Sequence, residues 1–223
     1  MNPTLTLHDT DEAARLSDSV YQSLLEAIIA GQLTPGTIVS EVSLAQQLKV
    51  SRTPVHDALR QLAKDGLVKQ QANRRAVIAT FSREDLRDIF DMRKLLEGEA
   101  ARLAATRIDR PTLARLRAAA DALGKGQKRP DWLERWADFD EDFHASIAQA
   151  AGSPRLYQDI VRYRLLHRAF NTLTTTVEVL QQALDEHSRI LAALEKRDAK
   201  EAAREMVTHI QEWQTYFVNH FPG

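Results

Sequence analysis

Apolar side chains recur at helical spacing along most of this chain and change to strand-like runs over one short stretch. From Ser17 to Ala30, Val20, Leu24, Leu25, Ile28 and Ile29 line one face at intervals of three and four, and Gly31 is a natural stop. The dozen residues before them show no period, so 1–16 reads as a flexible tail. After the turn Leu33-Thr34-Pro35-Gly36, the segment Thr37–Glu41 leads to a compact amphipathic helix from Ser43 to Leu48. Another helix opens at Ser51, which has the chemistry of an N-cap. Pro54 fits its first turn, where the N–H it lacks would have no intrahelical partner. Val55, Leu59 and Leu62 then face inward, and Gly66 ends the helix. Leu67–Gln71 and Ala76–Thr80 follow as β-rich runs around Ala72-Asn73-Arg74-Arg75, and read as a hairpin.

Beyond Ser82 the chain turns to Ala, Leu, Arg and Glu with a helical period almost to its end. Breaks fall at Pro111, at Gly124–Pro130, at Gly152-Ser153-Pro154 and around Arg197-Asp198. The spacing predicts six helices over 82–106, 111–123, 131–150, 154–172, 177–196 and 199–218. The expected organisation is a tail over 1–16, a mixed domain over 17–80 and an all-helical domain over 81–223.

Charge sharpens this division. The whole chain is nearly balanced, with 30 Lys and Arg against 31 Asp and Glu, which argues against a uniformly basic nucleic-acid coat. Residues 40–80 nevertheless carry seven bases against three acids, a local net +4, whereas 1–39 is net −4. Two short helices joined by a tight turn, the second carrying Arg52, Arg60 and Lys64, followed by a hairpin tipped with Arg74 and Arg75, make a winged helix-turn-helix. Such a second helix can lie in the major groove while hairpin cations reach phosphates or the minor groove. The absence of cysteine removes disulfides, thiol catalysis and cysteine-based zinc clusters. No apolar run reaches the ~18 residues that span a bilayer, and the first residues lack the basic start and apolar stretch of a secretion signal, so a cytoplasmic protein with no membrane partner is expected.

Within this block, Leu44-Ala45, then Val50-Ser51-Arg52-Thr53-Pro54-Val55-His56-Asp57-Ala58-Leu59-Arg60-Gln61-Leu62 and Asp65-Gly66-Leu67-Val68, resemble the DNA-binding domain of GntR-family transcription regulators. The resemblance implies DNA contacts from Ser51, Arg52, Thr53, His56, Arg60, Asn73, Arg74 and Arg75. Three departures from the family pattern stand out. Lys49 stands where the turn usually has glycine, His56-Asp57 replaces Arg-Glu, and Arg75 replaces a wing glycine, leaving Asn73 as the candidate for positive φ. Arginine pairs bidentately with guanine, whereas His56 offers a single contact, to a base or to a phosphate, so operator preference should differ from that of arginine-bearing relatives.

The helical half carries polar groups on faces that should be inward. Trp136, Asp140, Phe143, His144 and Ile147 form one stripe, Leu180, Leu184, His187, Leu191 and Leu194 a second, and Ala202, Met206, His209, Ile210 and Trp213 a third. Polar groups removed from water need partners. A lone imidazole on an apolar face is ordinarily a hydrogen-bonded core residue, but here several candidates share one level. If the last two helices form a hairpin turning at Asp198, His187 and His209 each lie eleven residues from the apex, about 16 Å along the axis. Asp140 and His144, four apart, can close on one ion, giving an Asp/His/His/His set for a divalent metal.

The pattern Asp140-x-x-Phe143-His144, Glu186-His187 and His209-Ile210 is similar to the FCD effector-binding domain of the FadR-type branch of that family, and six helices are similar to its VanR-type variant. The implied fold is mainly α, an N-terminal winged helix-turn-helix followed by an all-α FCD bundle. The resemblance further implies a divalent ion, zinc first and nickel or manganese next, at Asp140, His144, His187 and His209, and a small organic acid as effector. Arg93 and Glu97 match an Arg-x-x-x-Glu of that branch, with Arg93 as the candidate carboxylate partner, and His167 joins them as a pocket residue. The expected protein is a homodimeric repressor on double-stranded operator DNA, released by its ligand, and not an enzyme. The rival is a metal-dependent hydrolase, in which the same ligand set would activate water.

Overall fold

The computed structural model describes residues 10–71, 75–126, 130–170 and 176–221. Two units result, Met1–Phe81 with Arg168–Thr172, and Ser82–His167 with Leu173–Gly223.

In the first unit, α1 (Thr10–Ile29) begins about two turns ahead of the Ser17 that the apolar period suggests. Residues 14–16 are exposed, so at these positions helix propensity, led by Ala14, rather than burial supports a helix across residues that the apolar period left in the tail. A strand that the pattern did not suggest, β1 (Ile38–Ser40), precedes α2 (Glu41–Leu48), where the Ser40 hydroxyl accepts the Ser43 N–H at 3.1 Å. Lys49 then takes the left-handed conformation, φ 56°, and donates its N–H back to the end of α2, so a lysine does there what glycine ordinarily does. Next come α3 (Arg52–Lys64) and the hairpin β2 (Val68–Gln71) and β3 (Arg75–Ile78). The sheet has order β1-β3-β2, all antiparallel, with Ser40 and Gln71 both opposite Arg75 and Val68 opposite Ile78. α1 packs on α3, burying Val20, Leu24 and Ile28 of one and Val55, Ala58, Leu59 and Leu62 of the other. This apolar contact fixes the orientation of α3, and so decides which of its side chains face water.

The second unit contains α4 (Arg83–Arg107), α5 (Arg110–Lys125), α6 (Trp132–Ala150), α7 (Pro154–Phe170), α8 (Val177–Glu195) and α9 (Ala199–His220). Their starts follow from capping chemistry. Ser82 and Asp85 form a reciprocal capping box, Asp109 accepts the Thr112 N–H with Pro111 in the first turn, and Asp198 accepts the Glu201 N–H. α9 continues past 218 to His220, whose Nδ1 lies 2.8 Å from the Tyr216 carbonyl oxygen, so His220 ends a helix rather than lying in a tail.

α4 and α9 pack against each other closely at Gly98, where a Cβ would come within 2.7 Å of Val207 Cγ2. α8 and α9 form the expected antiparallel pair around Asp198. Arg197 adopts φ 57° in this turn, and its guanidinium donates to the carbonyls of Ala105 at 3.1 Å and Ile108 at 2.7 Å, tying the turn to the end of α4. The buried indoles of Trp132 and Trp136 donate to the carbonyls of Leu123 and Leu180, which settles their polar edges inside the core. No described helix is long and apolar enough to cross a membrane.

Candidate functional site

In the first unit, burial of Pro54, Val55, Ala58, Leu59 and Leu62 turns the opposite face of α3 to solvent. Ser51, Arg52, Thr53, His56 and Arg60 are all exposed there, with Arg52, His56 and Arg60 spaced four apart along one line. Ser51 sits at the N-cap position with extended backbone but makes no side-chain cap bond, so its hydroxyl is not used by the helix. Glu41, buried at the start of α2, places Oε1 2.8 Å from His56 Nδ1 and Oε2 3.6 Å from Arg52 Nη2. Sequence reasoning missed this carboxylate because its partners lie in another helix. Arg75 is exposed at the start of β3, while Asn73 and Arg74 lie outside the described residues. A cationic helix face beside a β hairpin has the chemistry to read a groove and hold phosphates.

In the second unit, three histidines converge. Ligand atoms of His144 on α6, His187 on α8 and His209 on α9 all lie within 4.8 Å of one another, and the three residues are buried. The His187 and His209 ring centroids are 4.5 Å apart, and those of His144 and His187 5.3 Å. Asp140 joins them through Oδ1, 3.6 Å from His144 Nε2 and 3.5 Å from His187 Nε2. Its Oδ2 accepts from Arg164 Nη2 at 2.9 Å, which leaves Oδ1 turned toward the imidazoles. All four residues proposed from the sequence therefore meet at one place.

The surroundings decide what these groups can do. His144 Nδ1 is hydrogen-bonded to Glu97 Oε2, and His209 Nδ1 lies 2.7 Å from Glu186 Oε2. A carboxylate only accepts, so both Nδ1 atoms carry the hydrogen and both Nε2 atoms present lone pairs. His144 Nε2 and both nitrogens of His187 are buried without a hydrogen-bond partner among the described residues. Leaving such atoms dry and unmatched is costly. One imidazole carboxylate set with unmatched lone pairs is what a divalent cation of nitrogen and oxygen preference would satisfy, so the residues fit the group.

Protonation follows the same logic. Burial pushes the His187 imidazole down to about 3 and that of His209 to about 4, and burial together with the Arg164 charge drives His144 well below its ordinary value. Burial alone would raise Asp140, but the Arg164 guanidinium and the His144 and His187 rings outweigh it and hold the carboxyl below the usual range. Neutral imidazoles beside an ionised carboxylate are in the state a metal requires.

The residues suggested for an effector sit beside this cluster. Arg93 donates Nε to Glu97 Oε1 at 2.7 Å, so both Glu97 oxygens are engaged, one by Arg93 and one by His144. His167 is partly buried, edge-on to Phe90 and Phe217 at centroid distances of 5.3 and 5.0 Å. Arg164 and Glu186 carry no functional role in the sequence reading. A signal existed for both: Arg164 is four residues from Ile160 and three from His167 on an inward stripe, and Glu186 adjoins His187. On α7 Arg164 is buried together with Ile160, Leu166 and Ala169, whereas Tyr163 is only partly covered.

A winged helix-turn-helix unit followed by a helical unit with a buried histidine cluster is the architecture of a two-domain DNA-binding regulator. The comparisons with known proteins agree. The family model for bacterial regulatory proteins of the gntR family matches residues 16–78, and that for the FCD domain matches 88–212. The chain belongs to the GntR family of transcriptional regulators, in the branch that carries an FCD domain.

It is 35% identical over 147 residues to an uncharacterized HTH-type transcriptional regulator in the TAR-I ttuE-ttuC' intergenic region of Agrobacterium vitis, covering 64% of this chain and 85% of that protein. It is 27% identical to the HTH-type transcriptional repressor RspR of Escherichia coli K12, over 88% of this chain and 86% of the relative. Against GlaR, another repressor of that bacterium, identity is 28% over 85% and 90% of the two chains. The solved structure of E. coli McbR/YncC superposes with a TM-score of 0.77 at 22% identity, covering 93% of this chain and 99% of that one, which shows a common fold.

Proposed function

We propose that this regulator is a homodimeric repressor whose hold on operator DNA is modulated by a small organic acid bound at a divalent metal in the FCD domain. The observation that carries the reading is the convergence of three buried imidazoles and Asp140, with unmatched nitrogen lone pairs and two Nδ1 hydrogens committed to Glu97 and Glu186. Asp140, His144, His187 and His209 would hold the ion, zinc first by its preference for nitrogen and oxygen donors, with nickel or manganese next. When bound, the metal supplies a Lewis-acidic position that an effector carboxylate can occupy.

The protein's own groups do the rest. Glu97 and Glu186 orient two imidazoles, and Arg164 fixes which Asp140 oxygen faces them. Arg93 and His167 border the effector, with Arg93 as its carboxylate partner. On α3, Ser51, Arg52, Thr53, His56 and Arg60 read the groove, and Asn73, Arg74 and Arg75 of the wing reach the backbone. α4 follows β3 after a few residues, so any shift of α4 caused by ligand is passed on through the chain, and coupling between ligand and DNA is reciprocal.

Two measurements test this. Elemental analysis of the purified chain should find about one divalent ion per protomer, retained through dialysis and lost in His187→Ala. Mobility shifts on DNA flanking its own gene, repeated with a panel of organic acids, should show specific binding that some acids weaken. A chain that holds no ion, or DNA affinity blind to every acid and to chelator, overturns the sensing half.

A further inference from the structure

Glu41 and His56 form a polar contact in the DNA-binding unit that the metal centre does not use. Glu41 is 6% exposed, locked at the first position of α2, with Oε1 2.8 Å from His56 Nδ1. The second oxygen faces Arg52 at 3.6 Å, so a cation stands beside the carboxylate. Because a carboxylate accepts, the hydrogen resides on His56 Nδ1. In an imidazole with one hydrogen, Nε2 is then a bare acceptor. The His56 side chain is 49% exposed and shares its face of α3 with Arg52 and Arg60.

Base edges in the major groove differ in what they offer such an atom. Guanine presents acceptors at N7 and O6 and thymine one at O4, all of which repel a lone pair. Adenine N6 and cytosine N4 present amino hydrogens. An arginine in the same place has only donors and selects guanine. We propose that Glu41 sets His56 as a hydrogen-bond acceptor toward DNA, so that it recognises the exocyclic amino group of adenine or cytosine in the operator half-site. Glu41 is then a positioning residue for sequence specificity. The inference rests on the reading of α3 as the groove-facing helix.

Selection from a randomised duplex library at pH 8, using the full-length protein and His56→Arg, locates the base pair at which the two preferences diverge. Guanine is expected there for His56→Arg. At that pair, the duplex is rebuilt with analogues that lack one group on one strand: the amino group of adenine or cytosine, or N7 of a purine. Deleting the amino group should weaken the parent protein roughly five- to tenfold, the lower end of what a base contact supplies, and should leave His56→Ala unaffected. Deleting N7 should leave the parent unaffected and weaken His56→Arg. In Glu41→Gln the side-chain amide can donate to Nδ1 and move the hydrogen to Nε2, so sensitivity to the amino group should vanish.

If Glu41→Gln fails to fold by circular dichroism, the two variants at the exposed position 56 decide. Parent affinity that ignores the amino group, or falls on loss of N7, overturns the proposal, as do identical preferences in all three proteins. A parent protein that enriches no sequence at all overturns the groove reading itself, and this inference with it.

Discussion

The two units use one chemical device, an imidazole whose Nδ1 donates to a carboxylate, in opposite surroundings. On α3 the His56 side chain is half exposed, on the same solvent-facing side as Arg52 and Arg60. In the helical unit the His144 and His209 side chains are 1% and 2% exposed, their carboxylate partners 2% and 4%, and their second nitrogens face each other and His187. Solvation separates the two uses. An Nε2 bathed in water exchanges one hydrogen bond for another at little cost and can probe a base edge. The same atom kept dry is destabilising unless something satisfies it, and one cation can satisfy several at once. A carboxylate–histidine pair is thus not a signature of metal binding by itself; burial and convergence are what would let one cation serve several rings.

The strongest way to sharpen this contrast is to remove the carboxylates. Glu97→Gln and Glu186→Gln should lower zinc affinity about 10- to 100-fold in chelator competition, because the ring orientation and donor strength they enforce are lost. Glu41→Gln should leave zinc affinity unchanged. Equal losses in all three would erase the distinction between the units.

Acid should break the comparison next. In chelator-treated protein the folded His187 and His209 sit near 3 and 4, below the ~6.5 of a free imidazole, so the unfolded chain takes up protons first. A depressed imidazole value gives stability that is complete above about pH 6.5 and declines as pH falls toward the folded values, by up to ~1.4 kcal/mol per pH unit for each ring. Asp140, also held low, adds a loss only at still lower pH. Urea unfolding midpoints between pH 7.5 and 5 check this. A flat profile would mean that the rings take up protons in the folded bundle as readily as in the unfolded chain.

The smallest effects come from backbone positions, one in each unit. Gly98→Ala puts a methyl against Val207, whose side chain can yield because it is 37% exposed, and helix propensity offsets part of the clash. A net loss of about 1–2 kcal/mol is expected. Lys49→Gly relieves a left-handed residue and should raise stability by up to about 1 kcal/mol. Thermal melts measure both, and opposite signs are expected.

What the sequence determined by itself was local and periodic. Apolar spacing located the six helices of the second half, and the eleven-residue distances from Asp198 brought His187 and His209 level, because helix rise per residue is constant. The Ser51–Leu62 stretch identified the reading helix through a motif whose inward positions the structure buries. The pattern had no signal for β1, three residues long, nor for the first turns of α1, which carry no apolar period. Only the tertiary structure decided the partners: Glu97 for His144, Glu186 for His209, Arg164 for Asp140 and Glu41 for His56. Each of these pairs joins different helices and depends on how those helices are rotated against one another. That rotation is fixed by packing of their apolar faces, a property of the assembled core that no single segment contains.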